Sequence, residues 1–147
     1  MAYVPVQCSA CEAHHLQPVE PGAVPNCRSC GRPATVLPGA TYSAADVDLF
    51  DRVDAAVRSD LRSARSGQRL AAELLRAAST SESPESILLR MLDDLPGLRF
   101  LLPALSVRPT GREHRSLLAR SLGMLLTIVA ARTRQLERTP TPLDVSA

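Results

Sequence analysis

The sequence predicts a small β-type metal ribbon over residues 1–41, then an all-α bundle of about four helices over 42–138, with 139–147 as a disordered tail. Three observations carry this reading. The only four cysteines stand in two pairs, Cys8-x-x-Cys11 and Cys27-x-x-Cys30, with fifteen residues between the pairs. Six of the twelve prolines fall in the first 41 residues, together with Gly22, Gly31 and Gly39, a density of breakers that no helical period survives. From Thr41 onward, apolar residues recur at three- and four-residue steps, the pattern of amphipathic helices.

The chain of 147 residues suits one small module and one modest domain. Hydrophobic residues make up 45% but aromatic ones only 3%, so the core is expected from Leu, Ala, Val and Ile, which favours helix on helix. All 17 basic residues are arginine, and the net charge of +2 is too small to argue for nucleic acid by itself. The start, Met1-Ala2-Tyr3-Val4-Pro5, lacks the basic and apolar regions of a signal peptide. The most apolar stretch, 116–131, contains Arg120 and is too short for a bilayer. A soluble, cytoplasmic protein without a membrane partner is expected. In that reducing compartment paired cysteines point to metal rather than to disulfides.

In the first segment, Tyr3–Gln7, Leu16–Val19 and Thr35–Leu37 are expected as short β segments. So small a piece needs a staple to fold. Ser43-Ala-Ala-Asp46 then has the form of a capping box. Behind it Leu49, Phe50, Val53, Val57, Leu61 and Ala64 form one apolar stripe, which Gly67 is expected to end or kink, and Leu70, Leu74, Leu75 and Ala78 continue it. Ser83-Pro84 reads as an N-cap and first helical residue, opening a short helix through Ile87, Leu88, Met91, Leu92 and Leu95 that Pro96-Gly97 should end. Residues 98–105 are apolar but interrupted by Pro103, so a short helix or turn is expected. Thr110-Gly-Arg-Glu113 is a second capping box, and the longest helix should run from it to about Arg138. Its apolar residues cover more than one face, which predicts a central place in the bundle or an oligomer interface.

The cysteine pairs carry the chemistry. Zinc takes four ligands in a tetrahedron, thiolates suit it, and two such pairs at this separation are the usual layout of a four-thiolate site. Cys8, Cys11, Cys27 and Cys30 are therefore expected to hold one Zn2+. A dithiol redox pair, rubredoxin-like iron and four unrelated thiols are the alternatives; the iron site normally has aromatic packing that this chain lacks. Gly31 follows the second pair, where the turn wants positive φ, and Glu12 in the equivalent place makes the first turn less ideal. His14 could add a fifth ligand as Cys11-x-x-His14; the competing reading puts His14 and His15 on the surface or beside the site.

The run from Cys8-Ser-Ala-Cys11 through Gly22-Ala-Val-Pro-Asn-Cys27-Arg-Ser-Cys30-Gly31 resembles the small zinc-ribbon fingers at the N-termini of many bacterial regulatory proteins. The resemblance covers roughly residues 4–38 and implies the four cysteines as ligands of a structural zinc. It implies no single function, because such ribbons serve DNA, RNA, protein and purely structural roles. The helical remainder resembles no such family.

Catalysis is not expected. His114 beside Glu113, the pair Asp93-Asp94 at a helix C-terminus and the serines of 79–83 are the thin candidates, each read first as a solvated helix or loop residue. No Gly-rich phosphate loop, G-x-S-x-G or HExxH motif occurs. Arg28 and Arg32 flank the second cysteine pair and are the candidate contacts for nucleic acid or a partner. From Arg108 on, seven arginines face Glu113, Glu137 and Asp144, and they are read as solvated ends of a buried helix. The leading expectation is a non-catalytic adaptor or regulator that binds an unidentified protein partner and self-associates through residues 112–138. A nucleic-acid-binding transcriptional regulator is the competing class, and a zinc- or thiol-based redox sensor the third.

Overall fold

The computed structural model describes residues 2–20, 22–37, 41–102 and 112–138, with side chains of the last stretch described from Ala119 on. An N-terminal antiparallel sheet of three strands is followed by the helices. Strands β1 (Tyr3–Gln7), β2 (His14–Pro18) and β3 (Thr35–Val36) lie in the order β2-β1-β3. In the register, Tyr3 pairs with Pro18 and Gln7 with His14, while Gln7 also faces Thr35 on the other side. β2 thus begins at His14, two residues before the expected Leu16, because pairing with β1 draws both histidines into the ladder.

Helix α1 (Val47–Asp60) opens as expected, after a 3-10 turn over Ala44–Asp46. The Ser43 amide donates to the Asp46 carboxylate at 3.1 Å, satisfying a backbone donor that the first helical turn leaves free. Phe50, Val53 and Val57 are fully buried at helical spacing.

The next boundary corrects the expectation. The chain breaks not at Gly67 but after Asp60, where Leu61 turns extended. Ser63 then caps α2 (Ala64–Ser79), its Oγ accepting from the Ser66 amide at 3.2 Å. Gly67 lies buried inside α2, where a Cβ would stand 2.1 Å from Thr133 Oγ1. The glycine serves a close helix approach, not a break.

Helix α3 (Pro84–Met91) has the expected Ser83 cap with Pro84 at its first residue. It ends before Pro96-Gly97: the Asp94 amide tightens the last turn by bonding the Met91 carbonyl at 3.2 Å, and Leu95, preceding proline, leaves the helical region. Pro96–Leu101 instead forms a 3-10 turn, with the Gly97 amide donating to Asp60 at 2.7 Å. Helix α4 (Arg112–Arg138) packs on α1, α2 and α3 and lies centrally among them, as its wide apolar arc predicts. The box expected at 110–113, the apolar run after Leu102 and the tail after Arg138 lie outside the described residues or side chains. Among the described residues, no helix is long and apolar enough to cross a membrane.

Two apolar clusters result. One joins Val6, Cys8, Cys27 and Ala34 in the ribbon. The larger unites Phe50, Leu70, Leu88, Leu98, Met124 and Ile128 from the helical part, and it includes Leu16 of β2. Strand β2 therefore puts one fully buried side chain of the ribbon into the helical core, and Tyr3 packs against the same cluster.

Candidate metal centre

The four cysteines converge. Their sulfurs all lie within 4.8 Å of one another, the group of potential metal ligands found among the described residues. Cys8 Sγ stands 3.4 Å from Cys30 Sγ, and Cys11 Sγ 3.5 Å from Cys27 Sγ. Disulfides need about 2.05 Å, and the thiols are free. A tetrahedron with metal–sulfur bonds of about 2.3 Å has sulfur edges of about 3.8 Å, close to what is seen. Cys8 and Cys27 are buried at the ribbon core, whereas Cys11 and Cys30 are exposed. The site is positioned to bind a metal ion and compatible with zinc.

The two turns that present the sulfurs are alike. The Cys11 amide points at Cys8 Sγ (3.5 Å) and the Ser29 amide at Cys27 Sγ (3.4 Å), which offsets thiolate charge. Gly31 has φ +76° and its amide closes onto the Cys27 carbonyl at 2.8 Å. Glu12 takes the same left-handed conformation, φ +61°, without being glycine, at a cost of about 1–3 kcal/mol. Two donors hold it there: Glu12 O accepts from Arg58 of α1 and, at 3.0 Å, from Gln135 Nε2 of α4. The less ideal turn is the one that the helices clamp.

Four sulfurs this close cannot all be thiolates without a cation, so their proton affinities split. Cys8 is lowered to about 6, chiefly by the Cys11 amide and then by Cys30 against the opposing effect of burial. For Cys11 the Ala13 amide acts downward, but Cys27, desolvation, Cys8 and Cys30 together push it up to about 11. Cys27 is lowered; burial opposes this, but the Cys30 and Ser29 amides prevail.

Neither histidine joins the sulfur group. His14 is buried, with Nδ1 2.7 Å from Asp54 Oδ1 of α1, and Asp54 also meets Arg58 Nε at 3.1 Å. His15 binds Ser29 Oγ at 2.9 Å and Arg28 at 2.7 Å; burial first, then Arg28, lowers its pKa. A chain of contacts from α1 thus braces the first cysteine turn through Asp54, Arg58, His14 and the Glu12 carbonyl. Nothing local in the sequence marks it, because its members stand some forty residues apart.

Arg28 spans His15 and Asp51, 3.4 Å away, so its charge is engaged within the protein. Arg32 is exposed. Asp94 pairs with Arg69 of α2 at 2.7 Å, and the hydroxyls of Ser79 and Thr80 bond the last carbonyls of α2, so these three have structural partners. The His114 side chain lies outside the described ones.

No family model, no curated protein and no solved structure matches the chain.

Proposed function

We propose that this protein is a non-catalytic, zinc-binding adaptor or regulatory protein of the cytoplasm, whose four-cysteine site is a structural staple. The convergence of Cys8, Cys11, Cys27 and Cys30 carries the reading. With every ligand supplied by the chain, a zinc ion there would have no open position for water, and its role would be structural. The protein-contact part of the reading is supported by an apolar groove of about 270 Å³ between α2, α3 and α4, lined by Leu74, Ile87, Leu122 and Leu126. It lies on the stretch 112–138 expected to self-associate, so a partner helix or a second copy are its two natural occupants.

The test has two arms. Elemental analysis of the native protein should return about one zinc per chain; iron, or four free thiols without metal, would remove the staple. Affinity capture with wild-type and Leu122→Arg protein, followed by sedimentation, should show a partner or a dimer that the variant loses while keeping its helicity. Identical behaviour of the two would remove the groove.

The nucleic-acid reading draws on the exposed Arg32 and on the arginines near the end of α4, but Arg28 is already paired with Asp51 and His15. Absence of retention on heparin at low salt would drop that class.

A further inference from the structure

A second cleft, independent of the metal and of the groove, lies where the ribbon meets the end of α4. It encloses about 290 Å³, and Gln7, Ser9, Thr35, Arg134 and Arg138 are among its lining residues. Its lining has three features that bear on a ligand. Gln7 is 92% buried, 8% of its surface remaining exposed, yet its Nε2 has no hydrogen-bond partner. A buried amide left without a partner costs about 1–3 kcal/mol; this nitrogen is occluded, so a ligand in the cleft would meet it only after the side chain turns. Arg134 and Arg138 are exposed and one turn apart on the same face of α4, and neither has a carboxylate partner among the described residues, so both charges are available to a ligand in the cleft. Glu137, the acid nearest to them in sequence, is engaged by Gln68 of α2 at 2.8 Å. Every polar side chain that lines the cleft can donate: the two guanidinium groups, the Gln7 amide and the hydroxyls of Ser9 and Thr35.

We propose that this cleft binds a phosphate monoester. Two guanidinium charges match the charge of about −1.5 to −2 on a monoester near neutral pH. The donors come from three sides (β1, β3 and α4), which suits a terminal phosphoryl group with three free oxygens. A phosphodiester within a nucleic-acid strand offers two such oxygens and must leave the cleft on both sides. Gln7 and Ser9 flank Cys8 in sequence, so the ribbon's fold sets the position of two of the five groups.

The experiment is a 31P NMR and calorimetric titration of the full chain, as purified, with inorganic phosphate, phenyl phosphate and a short oligodeoxynucleotide at low ionic strength. Saturable binding of phenyl phosphate is expected. Arg134→Gln/Arg138→Gln should weaken it at least ~30-fold, since each charged hydrogen bond is worth about tenfold or more. The control Arg65→Gln/Arg76→Gln removes two exposed arginines elsewhere and should change it less than about twofold. Gln7→Glu, which sets a carboxylate where the amide was, should abolish binding; should that variant misfold, the arginine pair alone decides. Equal loss in both arginine pairs, or no binding of either phosphate, overturns the proposal. Tighter binding of the oligonucleotide, lost in the same Arg134/Arg138 variant, overturns the monoester as ligand. Phenyl phosphate binding above inorganic phosphate assigns an organic ester; the reverse order assigns the free ion and overturns the ester.

Discussion

Gly67→Ala tests the contact on which the helical part depends. In an isolated helix the change stabilises by about 1 kcal/mol. Here the new Cβ would lie 2.1 Å from Thr133 Oγ1, 3.0 Å from Thr133 Cβ and 3.1 Å from Thr133 Cγ2. Thr133 is itself buried and donates to the Val129 carbonyl at 2.7 Å, so its side chain has no free direction to swing. Either α2 and α4 move apart, an overpacking cost of about 1–3 kcal/mol, or the hydroxyl turns and loses its bond, about 1 kcal/mol. Set against the helical gain, the variant should gain no stability and should lose up to about 2 kcal/mol. Thr133→Ala removes Oγ1 and Cγ2 and leaves only the 3.0 Å contact with the residue's Cβ, which a small shift relieves. The pair should therefore show a coupling of about 1–2 kcal/mol in a double-mutant cycle. Urea denaturation followed by circular dichroism gives the four stabilities. Stabilisation by Gly67→Ala, with additive behaviour in the double variant, would refute the close approach.

Three further outcomes are expected. Asp54→Ala leaves the buried His14 and the Glu12 clamp without their brace and should cost about 2–4 kcal/mol by chemical denaturation; a loss below about 0.5 kcal/mol would show that the contact is idle. Metal affinity should rise with pH across the neutral range: Cys11, pushed up to about 11, must give up a proton on binding, while Cys8, lowered to about 6, is already a thiolate. The slope should be at least about tenfold per pH unit in a competition titration against a chromophoric chelator, and a flat profile would contradict it. Arg28→Ala removes a pair that is nearly half exposed, so stability should fall by less than about 1 kcal/mol and heparin retention should not change; a marked fall in retention would restore Arg28 as a reader of phosphates.

The cysteine cluster was legible because ligand spacing is local: each pair sits on one turn, and only the meeting of the two turns needs the fold. The β1 limits and the Ser83-Pro84 start of α3 were legible for the same reason. The α1–α2 break was not, because the stripe through Val57, Leu61 and Ala64 keeps helical spacing across it. The available signal was Ser63, whose capping role shows in its bond to Ser66. Gly67 misled because a glycine needed for helix contact and a glycine that ends a helix look the same in one sequence. The clamp on Glu12 and the cleft of Gln7, Arg134 and Arg138 join the two ends of the chain, and no periodicity reports such a meeting.

The Glu12 carbonyl makes the sulfur site and the helix packing thermodynamically inseparable. Arg58 and Gln135 reach it from different helices, so the first cysteine turn is complete only when α1 and α4 stand at their native separation. An ion held by the four sulfurs and helix closure would then favour each other by the same free energy. A lesion in the α1–α4 seam, far from any cysteine, would register first as a weaker hold on the ion, making metal affinity a gauge of the whole fold.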